Sequence, residues 1–296
     1  MKILEQTAAI SLKNILLATD FSPSSKMALH YARVFAREHG VQVHTLHVSG
    51  PDNYQLLCPE AFAATFREMP LSAANDSGVL QGLLKGLPSE VPLHGSRIWE
   101  VIADVAARNE IHLLVLGTHA RTGLPKLLLG SVAEEVFRDV PCPVLTVGAD
   151  VKEPPAAMKI EKVLLATDGS LHSSAPAYAT SLCEKVGAQL TVLHVDSKYG
   201  LASTGMVLAQ LKENLQSVAP KMIELPHKPV LLIEEGEPAD KILQVAGTTG
   251  VDVIVLGAHH PRSPRAASHL PWATTARVIA GAKCPVLTVR DQNTGN

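Results

Sequence analysis

Short apolar runs alternate along the chain with longer segments in which apolar residues recur at helical spacing. The short runs are rich in Val, Ile and Leu without polar alternation, which indicates strands buried on both faces of a sheet. Repeated alternation of strand and helix is typical of βαβ units and a parallel sheet. The predicted strands cover residues 14–20, 41–48, 91–94, 112–117 and 143–148, then 162–168, 188–195, 228–235, 252–257 and 286–290. The predicted helices cover residues 23–39, 55–87, 97–110 and 131–140, then 173–186, 204–224, 238–249 and 273–281.

The second half of this pattern repeats the first. NILLATD at residues 14–20 returns as KVLLATD at residues 162–168, and CPVLTV at residues 142–147 returns unchanged at residues 284–289. A repeat of this length predicts two copies of one domain. We expect domains at 1–148 and 161–296, joined by a proline-containing linker at 149–160. Each is predicted to be a doubly wound α/β domain, Rossmann-like or flavodoxin-like, with a five-stranded parallel sheet and helices on both faces.

Composition narrows the function classes. The 296 residues carry 26 basic and 28 acidic side chains, and this formal charge of −2 disfavours non-specific binding of nucleic acid. No apolar run approaches the roughly 18 residues that predict a membrane helix, and the N-terminus lacks the pattern of a signal peptide. The four cysteines are too widely spaced for a disulfide scaffold or a paired zinc site. We therefore expect a cytoplasmic protein without membrane or nucleic-acid partners.

Candidate chemistry lies where predicted strands end. The first strand of each copy ends in Ala-Thr-Asp, which puts Asp20 and Asp168 at the edge where doubly wound sheets bind ligands. Two interpretations of Asp20 stay open. Its carboxylate could contact a ligand, or it could merely accept from turn amides before a helix capped by Ser22.

A glycine-bearing loop follows the fourth strand of copy one. It reads LGTHARTGLPKLLLGSVAEE over residues 116–135, with a capping-box spacing from Ser131 to Glu134. Free amides in a first helical turn, together with the helix dipole, suit a phosphate group, and Arg121 adds positive charge. The chain contains no GK dipeptide and no GxG spacing, so the Walker A loop and the dinucleotide fingerprint are both excluded.

Together these motifs resemble the universal stress protein family in its tandem two-domain form. Members that bind ATP carry a G-x2-G-x9-G-S/T loop, and Gly117, Ala120 and Gly130-Ser131 fall at that spacing here. Ala120 departs from the pattern, because the family has glycine there. The resemblance implies that Gly117, Gly130 and Ser131 hold the phosphates. With their neighbours in the motifs, the residues implied for the nucleotide site are Ala18, Thr19, Asp20, Val48, Leu116, Gly117, His119, Ala120, Arg121, Gly130, Ser131 and Val132.

Copy two departs further from the family pattern. Thirteen residues after Gly257 stand Leu270 and Pro271 instead of Gly-Ser, which predicts a broken phosphate site. Histidines at 259, 260 and 269 lie in the same segment, and we interpret it as a solvated polar loop because the spacing is not that of helix-face metal ligands. No metal is expected beyond Mg²⁺ accompanying ATP.

The resemblance implies an adenine-nucleotide-binding stress-response or signalling protein, with ATP as the first candidate ligand. No catalytic residues are identified, which disfavours an enzyme. Two alternatives stay open: a slow ATPase that uses the same pocket, and an interaction module that binds no nucleotide. The last strands, residues 143–148 and 285–290, would be exposed apolar edges, so we predict that they pair in an intramolecular pseudo-dimer. A homodimer of the whole chain is a further expectation.

Overall fold

The computed structural model divides the chain into two compact units. It describes residues 12–50, 53–57, 97–118, 133, 135–137, 140–196, 204–258 and 271–290. One unit spans Leu12–Ala156 and the other begins at Ala157. Among the described residues, no helix combines the length and apolarity that crossing a membrane requires.

The first unit is built on the sheet order β3-β2-β1-β4-β5. Its elements are β1 (Ile15–Ala18), α1 (Pro23–His39), β2 (Val43–Gly50), β3 (Asn53–Leu57), α2 (Ile98–Arg108), β4 (Leu113–Gly117) and β5 (Val144–Val147). β1 lies between β2 and β4 and is parallel to both, and β5 is parallel to β4. Three consecutive β1 residues, Ile15, Leu16 and Leu17, are fully buried. Because successive side chains alternate between faces, both faces of this sheet are covered.

Strand β3 corrects the prediction for copy one. We expected a parallel sheet and a helix from residue 55, but Asn53–Leu57 is a strand that pairs antiparallel with β2. Only two residues separate Gly50 from Asn53, and a connection this short permits only an antiparallel pair. An antiparallel edge strand on an otherwise parallel sheet is common in α/β folds. The predicted strand at 91–94 and most of the predicted helix at 55–87 lie outside the described residues.

The second unit has the all-parallel five-stranded sheet that its sequence predicts, in the order β10-β9-β6-β7-β8. Its elements are β6 (Lys162–Ala166), α3 (Ala175–Val186), β7 (Gln189–Asp196), α4 (Thr204–Val218), β8 (Val230–Glu235), α5 (Pro238–Thr249), β9 (Val253–Ala258), α6 (Pro271–Gly281) and β10 (Val286–Arg290). The helix predicted for 204–224 ends at Val218, and a 3-10 helix follows at Pro220–Glu224. Pro220 cannot donate the backbone hydrogen bond that would continue the helix.

The strands of the two units pair in the same register at the carboxyl ends of their sheets. Ala18 pairs with Leu46 on one side and Leu116 on the other, and Leu116 pairs with Thr146. The second unit repeats this row as Leu193, Ala166, Leu256 and Thr288. In each sheet the strand order reverses between the first strand and its neighbour, at β1/β4 and at β6/β9. Ligands of doubly wound folds bind at such switch points, beyond the carboxyl ends of the strands.

Candidate functional site

The turn after β1 fixes the carboxylate of Asp20. The Ser22 amide donates to Asp20 Oδ1 at 3.0 Å, and the Ser25 hydroxyl donates to the same oxygen at 2.5 Å. Ser22 caps α1 and accepts from the Ser25 amide at 3.2 Å. The sequence-based alternative that Asp20 accepts from turn amides is therefore realised. Its carboxyl group nonetheless remains exposed at the carboxyl edge of the sheet.

Phe21 and His47 form the apolar support beneath this turn. Phe21 is fully buried at a φ of 60°, and its ring centroid lies 4.9 Å from that of His47. Nδ1 of His47 lies 2.9 Å from the Thr19 carbonyl, so this nitrogen donates the hydrogen bond. Burial lowers the pKa of His47, while the Thr19 carbonyl and the charge of Asp20 oppose that shift. Through this hydrogen bond His47 holds the turn against β2.

Gly117 has a packing role at the end of β4. A Cβ at this position would collide with the backbone carbonyl of Ser24 and would lie 2.7 Å from the Ser25 amide nitrogen. Glycine therefore lets the first turn of α1 approach β4 closely. The requirement for glycine follows from the chain's own packing, whatever ligand binds nearby.

The predicted site residues separate into two groups. Ala18 ends β1, and Thr19 and Asp20 follow it directly. Leu116 pairs with Ala18, and Gly117 ends β4 at the same edge. Val48 lies on β2, two residues beyond the partner of Ala18. The structure therefore brings these six together at one switch point. The other six, His119, Ala120, Arg121, Gly130, Ser131 and Val132, lie outside the described residues.

A cavity of about 310 Å³ occupies the corresponding place in the second unit. The repeat gives each of the six grouped residues a counterpart in copy two, and every counterpart lines this cavity. They are Ala166, Thr167, Asp168, Val195, Leu256 and Gly257. The remaining walls include Pro238 and Ile242 of α5 and the hydroxyl-bearing Thr274 and Thr275 of α6. The repeated fold thus forms a ligand-sized pocket at the predicted edge.

Helix α6 revises the sequence alignment of the two copies. Val136 and Val278 are both fully buried, and each accepts a backbone hydrogen bond from the residue four positions later, Val140 or Ala282. This register aligns Gly130-Ser131 in sequence with Trp272 and Ala273, not with Leu270 and Pro271. Copy two still lacks Gly-Ser. The same register makes Thr274, which lines the cavity, the counterpart of Val132.

Helix α5 begins beside the cavity, and acidic residues at its start form ion pairs with α6. Its N-cap residue Glu237 accepts from the Asp240 amide at 3.2 Å. Arg277 of α6 contacts both carboxylates, Glu237 at 2.7 Å and Asp240 at 2.6 Å. Its guanidinium is therefore already neutralised. Among the described residues, no group of three His, Cys, Asp or Glu side chains is arranged to hold a metal ion.

Comparisons with known proteins match this architecture. The model of the universal stress protein family matches residues 11–148 and 159–290. The chain belongs to this family, as a tandem of two such domains. A universal stress protein of Thermus aquaticus is 32% identical over 136 residues, covering 46% of this chain and 98% of that protein. One from Methanocaldococcus jannaschii is 28% identical over 154 residues, covering 48% of this chain and 85% of that protein.

A solved structure supports the same fold over nearly the full length. The crystal structure of a universal stress protein from Archaeoglobus fulgidus aligns with a TM-score of 0.60 and 21% identity, covering 94% of this chain and 98% of that one. At this level of identity the likeness shows the fold.

Three features of the site escaped the sequence prediction. Ser25 binds Asp20, Thr274 lines the cavity of copy two, and Arg97 is the N-cap residue of α2. Arg97 stands where copy two has Glu237, because the buried faces of α2 and α5 match at Ile102 and Ile242. Aligning the two repeats helix by helix, rather than strand by strand, would have exposed this reversal of charge.

Proposed function

We propose that copy one of this universal stress protein binds an adenine nucleotide, with ATP as the first candidate. The adenosine end would lie against Asp20 and Val48, and the phosphates would be held by Gly117, Gly130 and Ser131. Mg²⁺ would accompany the nucleotide as part of the ligand. Binding serves sensing or signalling, and no catalytic residue is assigned.

One observation carries the proposal. The cavity of copy two is lined by the counterparts of all six described site residues of copy one. Because strand register matches at both edges, the repeated fold supports a pocket at the same switch point in copy one. The sequence of copy one adds Gly130-Ser131 before a predicted helix, a pair that copy two lacks, and a helix start with free amides suits phosphate.

The residue at the start of the neighbouring helix differs in charge between the two copies. Arg97 precedes α2 and its side chain is exposed, whereas the aligned position of copy two holds Glu237. A cation beside the pocket attracts phosphate, and an anion repels it. Both helix starts nevertheless carry a capping carboxylate, because Glu100 accepts from the Arg97 amide at 3.0 Å and Glu237 accepts from the Asp240 amide at 3.2 Å.

Calorimetric titration with ATP tests the proposal on two matched variants. Asp20→Ala should weaken ATP binding by more than about tenfold, whereas Asp168→Ala, the same change in copy two, should leave it unchanged. The double change Gly130→Val with Ser131→Ala should abolish binding. Unchanged ATP affinity in both copy-one variants would contradict the assignment of the site. No ATP binding by the wild-type chain would favour the nucleotide-free interaction module. Phosphate release above the double variant would favour the slow ATPase.

Protein purified without added nucleotide gives an independent check of whether it binds one. Denaturing the protein and identifying any released small molecule by mass spectrometry should reveal one adenine nucleotide per chain. A cytoplasmic location, the pairing of residues 143–148 with 285–290 and a homodimer of the chain stay predictions.

A further inference from the structure

Strand β8 lies at the outer edge of the second unit's sheet. Within the part of the chain that the structure describes, it pairs with β7 and with no other strand. Its sequence, VLLIEE, begins with four apolar residues, yet none of the six is buried and Val230 is 45% exposed. Strands β6 and β9 of the same sheet each contain four consecutive buried residues. An apolar edge with unpaired backbone groups is a template for pairing with another strand.

Alternate residues of β8 direct their backbone groups away from β7. The Gly236 amide donates to the Asp196 carbonyl at 3.2 Å. The Lys228 carbonyl accepts from the Gln189 side chain, at the start of β7, at 3.0 Å. The even-numbered positions between Lys228 and Gly236 therefore face β7, because the direction of these groups alternates along an extended strand. The outward-facing set is Pro229, Leu231, Ile233 and Glu235.

This alternation leaves β8 able to accept a further strand. In sheets, proline is tolerated where its missing amide faces away from the ladder, and Pro229 lies at such a position. Leu231 and Ile233 each turn an amide and a carbonyl toward the open side. Neither proline nor lysine, two residues that commonly protect strand edges, occurs within Val230–Glu235.

The charges that flank the apolar run have opposite signs at its two ends. Lys228 precedes the run and is exposed, whereas Glu234 and Glu235 follow it. Glu234 contacts Lys241 at 3.1 Å, and the buried Oε1 of Glu235 finds no hydrogen-bond donor among the described residues. An antiparallel strand of the same sequence would bring its basic end beside this acidic end. The segment is therefore complementary in charge to a second copy of itself.

We propose that β8 is a dimer interface, at which the β8 strands of two copies of this chain pair antiparallel. Outward-facing residues must lie opposite each other in such a pair, and a twofold axis at Leu231 meets this condition. Val230 then lies opposite Leu232 of the partner subunit. Lys228 lies opposite Glu234 of the partner subunit. An axis at Leu232 would instead put the apolar Val230 opposite a carboxylate.

This arrangement is self-limiting. Because the same surface is used on both subunits, each cross-strand contact occurs twice and the pairing closes at two chains. Both open edges are then consumed, which removes the site for further strand addition. The interface lies on β8 and does not depend on nucleotide binding in copy one.

Sedimentation equilibrium of the full chain tests the interface. Lys228→Glu and Glu234→Lys each put like charges opposite each other, twice in the symmetric dimer. Each change should weaken dimerisation by at least about tenfold. Lys212→Glu makes the same change of charge at an exposed position of α4 and should dimerise like the wild type. A monomeric wild-type chain, or a dimer that neither β8 variant weakens, would overturn the interface.

An equimolar mixture of the Lys228→Glu and Glu234→Lys chains tests the pairing itself. Every cross-strand charge pair between positions 228 and 234 is opposite in the mixed dimer, so its affinity should return to within about threefold of the wild type. A misfolded variant would not be rescued by mixing. If both variants are folded by circular dichroism and their mixture stays monomeric, the assigned pairing is wrong.

Cysteine substitutions test the register. Leu231→Cys should form an intermolecular disulfide under mild oxidation, because the same position of the partner lies opposite it. Leu232→Cys should not, because it lies opposite Val230 of the partner subunit. The reverse result would place the axis at Leu232 and contradict the pairing of Lys228 with Glu234. ATP titration of Lys228→Glu should match the wild type, so failure of the dimer and failure of nucleotide binding are measured separately.

Discussion

Gly117 at the end of β4 lies directly against the backbone of Ser24 in the first turn of α1. The equivalent glycine of copy two, Gly257, instead faces the side chain of Ser173, whose Oγ would lie 2.7 Å from an added Cβ. The difference arises because α1 begins at Pro23, whereas α3 begins at Ala175, a turn later in the aligned sequence. The same glycine therefore tolerates substitution differently in the two copies.

Replacing Gly117 or Gly257 by alanine should show this difference between the two copies. Gly117→Ala forces backbone against a methyl group and should lower the free energy of unfolding by about 2 kcal/mol. Gly257→Ala meets a side chain that can rotate away, so we expect a loss below about 1 kcal/mol. Urea unfolding of both variants checks this difference. Equal losses would mean that α1 shifts as easily as the Ser173 side chain.

Ser25 should affect both stability and ligand affinity through Asp20. Ser25→Ala removes the hydroxyl that donates to Asp20 Oδ1, and we expect about 1 kcal/mol less stability. Because the carboxylate loses one of its two described donors, ATP affinity should also fall by about fivefold. Ser25→Thr keeps the hydroxyl and serves as the control. Wild-type ATP affinity in Ser25→Ala would show that the turn amide positions Asp20 by itself.

The titration of His47 should make the protein's stability depend on pH in the mildly acidic range. Burial lowers the pKa of this side chain below its ordinary 6.5, so the unfolded chain binds more protons than the native chain in that range. The contribution is complete above pH 6.5 and is lost as pH falls through the lower native pKa. NMR of the imidazole C–H signals, assigned with His47→Gln, should give a midpoint below 6.5. A midpoint at or above that value would show that His47 is open to solvent.

The buried thiols should be inert in the native protein. Burial raises the pKa of Cys142, Cys183 and Cys284 to about 12, so almost no thiolate exists at neutral pH. Treatment with a thiol-reactive disulfide at pH 8 should leave these three unmodified, whereas denatured protein should react at all four cysteines of the chain. Peptide mass spectrometry identifies the modified sites. Rapid labelling of Cys183 in native protein would contradict its burial.

The sequence predicted much of the fold because its signals are local. Buried parallel strands such as Ile15–Ala18 appear as short apolar runs, and the repeated Ala-Thr-Asp marks the end of the first strand in each copy. The predicted helix at residue 55 failed because the pairing of Asn53–Leu57 with β2 is decided by the short connection between them. Local helical spacing does not reveal such a partner.

The sequence also identified candidate residues for the site, and their role in ligand binding stays a prediction. Asp20, Val48 and Gly117 were identified from motifs, and the counterparts of all three line the copy-two cavity. The reason that position 117 needs glycine was not predictable, because it depends on the approach of Ser24 from another element. The hydroxyl of Ser25 was missed for the same reason.

By itself the sequence determined the duplication, the α/β class and the family, because repeats, apolar periodicity and motif spacing are written along the chain. It also placed Asp20 and Asp168 at matching strand ends. Only the tertiary structure decided which helix positions correspond, and hence that Arg97 and Glu237 occupy equivalent sites. That correspondence depends on the burial of Ile102 and Ile242 against their own sheets, and burial is a property of the packed fold, not of local sequence.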